Sequence, residues 1–258
     1  MPDVYQSKGN RMSTPVTNSR KKIHHIIQKA LLQRRYELLE PEAKELIEIC
    51  GIKTTRHIVA SSREDAIRAA VSIGYPVVLK IISPDISHKT DVGGVKLCIK
   101  DEEGVMAAYD EIIRNAHTKQ PDARIHGILV EEMATPSAEV IVGGLRDIQF
   151  GPAVMFGLGG IFVEVFKDVS FRIAPVAEYE ASDMIQDVKG AIILKGFRNM
   201  KALDISALVQ TIIQVSDIMI SEGKIEEIDL NPVFVYPKGI IAVDARIILN
   251  QLPGKSDT

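Results

Sequence analysis

Asp229, Asn231, Asp244 and Arg246 have the spacing of a cation site built on a β-hairpin. Two apolar-rich segments, 225–236 and 239–249, flank Pro237-Lys238. A two-residue loop there sets Tyr236 opposite Gly239, Asn231 opposite Asp244 and Asp229 opposite Arg246. Residues two apart share a strand face, so the four form one polar patch. Directly opposed Cβ atoms sit ~5 Å apart, close enough for an amide oxygen and a carboxylate to hold one hard cation. Mg²⁺ takes few protein oxygens and completes its shell with water and substrate phosphates. The other reading is a solvated strand face carrying one exposed ion pair.

Three further features could handle phosphate. Lys80 closes the apolar run Tyr75-Pro76-Val77-Val78-Leu79-Lys80, and a lysine drawn into an apolar segment needs an anion; as a strand-end residue it could instead reach solvent. His88 lies in the polar loop 83–94, which is flanked by Pro84 and by Gly93-Gly94. An imidazole there could serve as base or nucleophile, or could simply be solvated. Gly157-Leu158-Gly159-Gly160 lets backbone approach phosphate oxygens, with Glu164 and Arg172 following. The phosphate-loop signature ending in Gly-Lys-Ser/Thr is absent, as is the dinucleotide Gly-x-Gly-x-x-Gly.

The elements that must position these groups mix helix and strand. Ile23, Ile26, Ile27, Ala30 and Leu31 make one helical face, a second helix fits 41–50, and Ser61-Ser62-Arg63-Glu64 reads as a capping box before a third. Val105 to Ala116 and Leu208 to Met219 read as amphipathic helices, and strands are expected at 75–82, 95–99, 127–133, 139–145, 151–156, 170–176 and in the closing hairpin. An antiparallel hairpin among mixed elements argues α+β (mixed α/β) rather than a doubly wound parallel sheet. No internal repeat is visible.

Composition excludes several classes. With 31 Lys+Arg against 34 Asp+Glu the net charge is −3, which offers no basic excess for nucleic acid. Aromatics at 5% and the lack of Trp disfavour base stacking. No apolar run reaches membrane-span length, and the polar first 20 residues lack a signal-peptide core, so a cytoplasmic protein with no membrane partner is expected. Residues 1–20 read as a flexible leader, with Met12 as a second possible start. Cys50 and Cys98 read as buried, reduced thiols. His24 and His25 are helical neighbours pointing apart, which is poor metal geometry.

Together these residues resemble the ATP-grasp superfamily and, more narrowly, the β subunits of ADP-forming acetyl-CoA synthetases, over about residues 20 to 250. Gly74 to Lys80, the stretch Ser83-Pro84-Asp85-Ile86-Ser87-His88-Lys89, Gly93-Gly94-Val95, and Glu227 to Pro232 with Asp244 carry the likeness. It implies ADP or ATP held between two α+β subdomains, 21–127 with the N-terminal helices and the His88 loop, and 128–258 with the Mg²⁺ site. It implies that Lys80 meets nucleotide phosphate, that Glu131, Glu132 and Met133 form the hinge strand at adenine, and that Glu139 binds ribose. Asn231 and Asp244 match the Mg²⁺ ligands, while Arg172 and the Gly159-Gly160 backbone would hold the transferring phosphate. His88 matches the histidine that these subunits phosphorylate.

The partner implied is a CoA-binding α subunit, in an α₂β₂ heterotetramer. A succinyl-type synthetase subunit, another ATP-grasp ligase, and a non-catalytic nucleotide-binding assembly subunit are the alternatives.

Overall fold

The computed structural model describes residues 15–160, 168–196 and 201–251. Most of the leader, Glu164, and part of the expected loop at 194–198 lie outside them. The chain begins with α1 (Pro15–Leu32) and α2 (Glu40–Ile49), followed by β1 (His57–Ala60), α3 (Arg63–Ile73), β2 (Val77–Ile82), β3 (Val95–Ile99), α4 (Glu102–Lys119) and β4 (Gly127–Glu132). Then come β5 (Ala138–Asp147), β6 (Gly151–Leu158), β7 (Val169–Ile173), α5 (Glu178–Asp187), α6 (Ile205–Ser221), β8 (Ile225–Val235), β9 (Ile240–Ala242) and β10 (Arg246–Leu249). The α+β expectation holds. Strand β1 and helix α5 are additions to the sequence reading.

Two antiparallel sheets divide the strands, one ordered β1-β4-β2-β3 and the other β10-β8-β5-β6-β7, with β9 alongside β8. Each sheet has its own apolar core. Val77, Leu79, Ile81, Ile128 and Val130 pack under α3 and α4. Val140, Val142, Val154, Phe156, Ile228 and Leu230 pack with α6, α5, α1 and α2.

This partition differs from the expected boundaries. Strand β4 belongs to the first sheet, so the division falls after Glu132 rather than before Ile128. Helices α1 and α2 bury Ile23, Ile26, Ile27, Leu46 and Ile47 in the core of the second sheet, not the first. An apolar stripe tells that a face is buried but not against what.

Local chemistry explains how the elements start. Ser62 accepts the Asp65 N–H at 3.1 Å to open α3. Pro41 sits in the first turn of α2, and the Glu42 carboxylate accepts the Leu39 N–H at 3.0 Å. Before α2 the chain covers the edge of β10, since Leu38 N–H donates to Ile247 and Leu249 N–H to Tyr36. That pairing fixes Glu40 at the junction of the two sheets.

The cysteines differ from expectation. Cys50 is half-buried, and Cys98 is exposed where β3 breaks register against β2 with a φ of 57°.

Candidate functional site

The hairpin register is as the two-residue loop requires. Tyr236 N–H bonds to Gly239 O, Val233 faces Ala242, and Arg246 faces Asp229. The second strand is split, however, at 243–245. Pro232 stands opposite Val243 and has no N–H to return, so the ladder loses a bond there. Asp244 uses the break: its Oδ1 accepts the Ala245 N–H at 2.8 Å and its Oδ2 lies 3.5 Å from Lys80 Nζ. Asp229, Asn231, Asp244 and Arg246 line one cavity of about 150 Å³ with Glu37, Glu40, Ser87 and Lys89. Arg246 turns away from Asp229 toward Glu37, at 3.1 and 3.2 Å.

That leaves the acids facing one another. Burial, then the carboxylates of Glu227 and Asp244, pushes the Asp229 carboxyl above its usual range. A hard cation between Asn231 and Asp244 would relieve that repulsion, and the oxygen donors suit Mg²⁺.

Lys80 is not at a strand end. It lies inside β2 and is 6% exposed. Its Nζ meets Glu40 Oε1 at 2.6 Å, Glu131 Oε2 at 3.0 Å and Asp244 at 3.5 Å, and so joins the first sheet to the hairpin of the second. Behind it, fully buried Lys44 pairs with Glu131, lies 3.4 Å from Glu40 and donates to Thr55 Oγ1 at 2.8 Å. Glu40 and Lys44 are one helical turn apart, which puts both on the same face of α2.

Burial opposes each of these charges, and the outcome differs from group to group. Desolvation would raise Glu40, but Lys80, Lys44 and Lys89 outweigh it and hold the carboxyl far below its usual range. Desolvation would lower Lys80, but Glu40, Asp244 and Glu131 keep it firmly protonated. Glu131 is the exception: burial outweighs Lys80 and Lys44, and its pKa is raised. Sequence reading missed Glu40 and Lys44, whose only local signal was a pair of charges on an otherwise apolar helix face.

The His88 loop is pinned on both sides of its tip. Ile86 and Val92 are buried in the first core, and Asp85 makes a bidentate pair with Arg124 at 2.7 and 2.9 Å. His88 itself is exposed. Its neighbours Ser87 and Lys89 line the cavity of Asp229, Asn231 and Asp244, and Lys89 Nζ lies 3.0 Å from Glu40 Oε2.

The remaining expected residues fall into three groups. Glu131 and Glu132 end β4 beside β2, and Met133 follows them, but their own groups are engaged. Glu131 faces the lysines, Glu132 pairs with Arg56 at 2.7 Å, and the Met133 N–H donates to Pro76 O. Glu139 and the glycine turn come together: Gly159 N–H bonds to Glu139 O at 2.7 Å, and a Cβ on Gly159 would stand 2.8 Å from Glu139 Cβ, so only glycine fits.

Arg172 does not join them. It sits opposite Val154 on β7, Val154 faces Gly144, and Gly144 faces Ile228, so this row points to the helix-covered side. The row of Asp229, Gly143, Met155 and Phe171 points the other way. Arg172 binds Asp187 of α5 at 2.6 Å, apart from Glu139 and the glycine turn.

The ATP-grasp domain model matches residues 29–249. The chain is 48% identical, over 88% of its length and 98% of the relative's, to the acetate–CoA ligase (ADP-forming) I subunit beta of Pyrococcus furiosus. It superposes with a TM-score of 0.86 and 52% identity, over 88% of this chain and 99% of the other, on acetyl-coenzyme A synthetase 1 of Ca. Korarchaeum cryptofilum in complex with coenzyme A and Ca-AMPCP. Another structure of that synthetase holds coenzyme A and Mg-AMPPCP with its phosphohistidine segment pointing towards the nucleotide site; it matches with a TM-score of 0.79 and 49% identity over 88% and 100% of the two chains. With two sheets enclosing a lysine, an acidic hairpin and a histidine loop, and with relatives matched along their whole length, the chain belongs to the ATP-grasp family, among the β subunits of ADP-forming acetate–CoA ligases.

Proposed function

We propose that this chain carries phosphate on His88 and passes it reversibly to ADP, as the nucleotide-binding half of an ADP-forming acetyl-CoA synthetase. The observation that supports this most is the placing of Ser87 and Lys89, on either side of His88, in the cavity of Asp229, Asn231 and Asp244. In the synthesis direction the P–N bond of phosphohistidine breaks and a P–O bond to the terminal phosphate of ADP forms. The ring nitrogen keeps the electron pair of the broken bond, and the imidazole takes up one proton.

The side chains supply alignment and charge, which phosphoryl transfer needs more than acid–base chemistry. Lys80 is a fixed cation at the junction of the two sheets, where entering phosphate would share it with Glu40. Glu139, exposed beside the backbone of Gly159 and Gly160, would meet ribose, and that backbone the transferring phosphate. Glu132 and Met133 would line the base, with the Met133 carbonyl as its polar contact because the N–H is taken. Asn231 and Asp244 would hold Mg²⁺, which when bound neutralises phosphate oxygens and draws them into line.

A beta subunit implies an α partner, here one that binds CoA and makes the acyl phosphate, and we propose an α₂β₂ assembly in the cytoplasm. Among the described residues no helix is long and apolar enough to cross a membrane. The test is ATP synthesis from acetyl-CoA, phosphate and ADP by this chain with its α subunit. His88→Ala should abolish it, together with acid-labile, base-stable ³²P labelling of the chain. Full activity in that variant would sink the proposal.

A further inference from the structure

Glu40 belongs to none of the groups that touch nucleotide or histidine in the proposed function, yet three lysines of three different elements, Lys44, Lys80 and Lys89, pair with it. It opens α2, is 5% exposed, and divides its two oxygens between different elements. Oε1 holds Lys80 of β2 at 2.6 Å, and Oε2 meets Lys89 of the His88 loop at 3.0 Å. Oε2 makes no directed hydrogen bond, although it is buried. It borders a small cavity lined by Ser83, Pro84, Ile86 and Ser87, all from the same loop.

We infer that Glu40 is a positioning residue for phosphoryl transfer: it latches the His88 loop at the nucleotide end through Lys89 while holding Lys80 across the junction. The inference rests on the phosphohistidine reading. If Lys89 departs, Oε2 becomes a buried oxygen with no partner on a carboxylate still paired with Lys80 and Lys44, and an unsatisfied buried polar atom is costly. The cost favours the docked loop. The latch is also reversible, because Lys89 is only part-buried and its stem is flexible; undocking lets water reach Oε2 through the cavity. A loop that collects phosphate at a partner subunit and delivers it here needs such a releasable contact.

A structural role is the competing account, since an acid in the first turn of a helix stabilises it through the dipole. The two accounts separate in the half-reactions. The complete enzyme, this chain with its α subunit, is labelled from ³²P-phosphate and acetyl-CoA, and the labelled chain is then discharged by Mg-ADP in a quench-flow experiment. Glu40→Gln should slow discharge by about tenfold or more while slowing labelling by no more than about threefold, because only the nucleotide end loses its latch. Lys89→Gln lies on the loop, outside either core, and should fold normally and show the same split. The double variant should discharge no more slowly than Glu40→Gln alone, since both changes remove one contact. Glu40→Asp should recover part of the rate.

Parallel loss in both half-reactions, a Lys89→Gln enzyme that discharges at the wild-type rate, or additive defects would each overturn the latch. Wild-type enzyme that never acquires label on His88 would overturn the function on which the latch depends. That outcome is distinct from a labelled enzyme with no discharge defect.

Discussion

Lys44→Met tests whether the charge cluster beneath the site is interdependent. Lys44 is fully buried and supplies a cation to Glu131, which is 1% exposed, and to Glu40 at 3.4 Å, as well as a hydrogen bond to Thr55. Methionine nearly matches its volume, so the expected loss comes from the charge rather than from a cavity. Removing one member of a buried ion pair costs about 3–5 kcal/mol. For a chain of this size that is roughly 6–20 °C in melting temperature.

The pH dependence distinguishes this from ordinary core damage. Glu131 already has a raised pKa because burial outweighs its lysines, and losing Lys44 must raise it further. A carboxyl raised in the fold contributes most below its unfolded value of about 4.3 and loses that contribution as pH rises through the folded pKa. The variant should therefore lie nearer to wild type at pH 5 than at pH 8. Urea denaturation at both pH values, followed by circular dichroism, measures this. Lys44→Met combined with Glu131→Gln should regain much of the stability at pH 8, because the uncompensated charge is gone. A single variant within about 1 kcal/mol of wild type at pH 8, or an equal loss at both pH values, would refute the reasoning.

Three further outcomes are expected. Asp244→Ala should raise the Mg²⁺ concentration needed for half-maximal ATP synthesis by about tenfold or more, read by titrating the metal at fixed ADP. Arg172→Ala should leave ATP synthesis within about threefold of wild type, because its side chain is on the helix-covered face and bound to Asp187; a hundredfold loss would contradict that placement. Iodoacetamide at pH 8 should modify Cys98, which is exposed, well before Cys50. Burial, then Glu222 and Asp217, pushes the Cys50 thiol up to about 11, which leaves ~0.1% as thiolate at that pH. Peptide mass analysis over time gives the order.

How far the site was legible depended on whether its geometry is local. The hairpin was readable because a two-residue loop fixes every opposed pair, and Asn231 and Asp244 followed from counting. The split at Asp244 was readable in principle too, from Pro232 facing Val243. The burial of Lys80 was only half readable: an anion was required, but the one that meets it is Glu40, forty positions earlier and on a helix packed in the other core. No periodicity conveys such a pairing. The face of Arg172 was not readable from β7 alone, because its apolar members Phe171 and Ile173 are the exposed ones, at 47% and 50%. Only the register with β6 assigns the face, and register between strands joined by a long connection is not written in either strand alone.

The charge cluster also explains why two sheets with separate cores can work as one device. An apolar seam between them would hold one arrangement through an area term that phosphate cannot compete with. The charged contacts at the site run between the units instead: Lys80 and Lys89 of the first against Glu40 and Asp244 of the second, and Lys44 of the second against Glu131 of the first. In the proposed function Lys80 and Lys89 would each exchange a carboxylate for a phosphate oxygen while keeping their charge compensated, so an entering phosphate would substitute for a partner instead of having to break a packed core. The substitution is graded by depth. Lys44 has no exposed surface and stays with Glu131, Lys80 is almost buried, and Lys89 is the most open of the three and lies next to His88. The cation freest to change partner is thus the one attached to the group proposed to carry the phosphate, while fully buried Lys44 keeps Glu131 and Glu40 compensated as it moves.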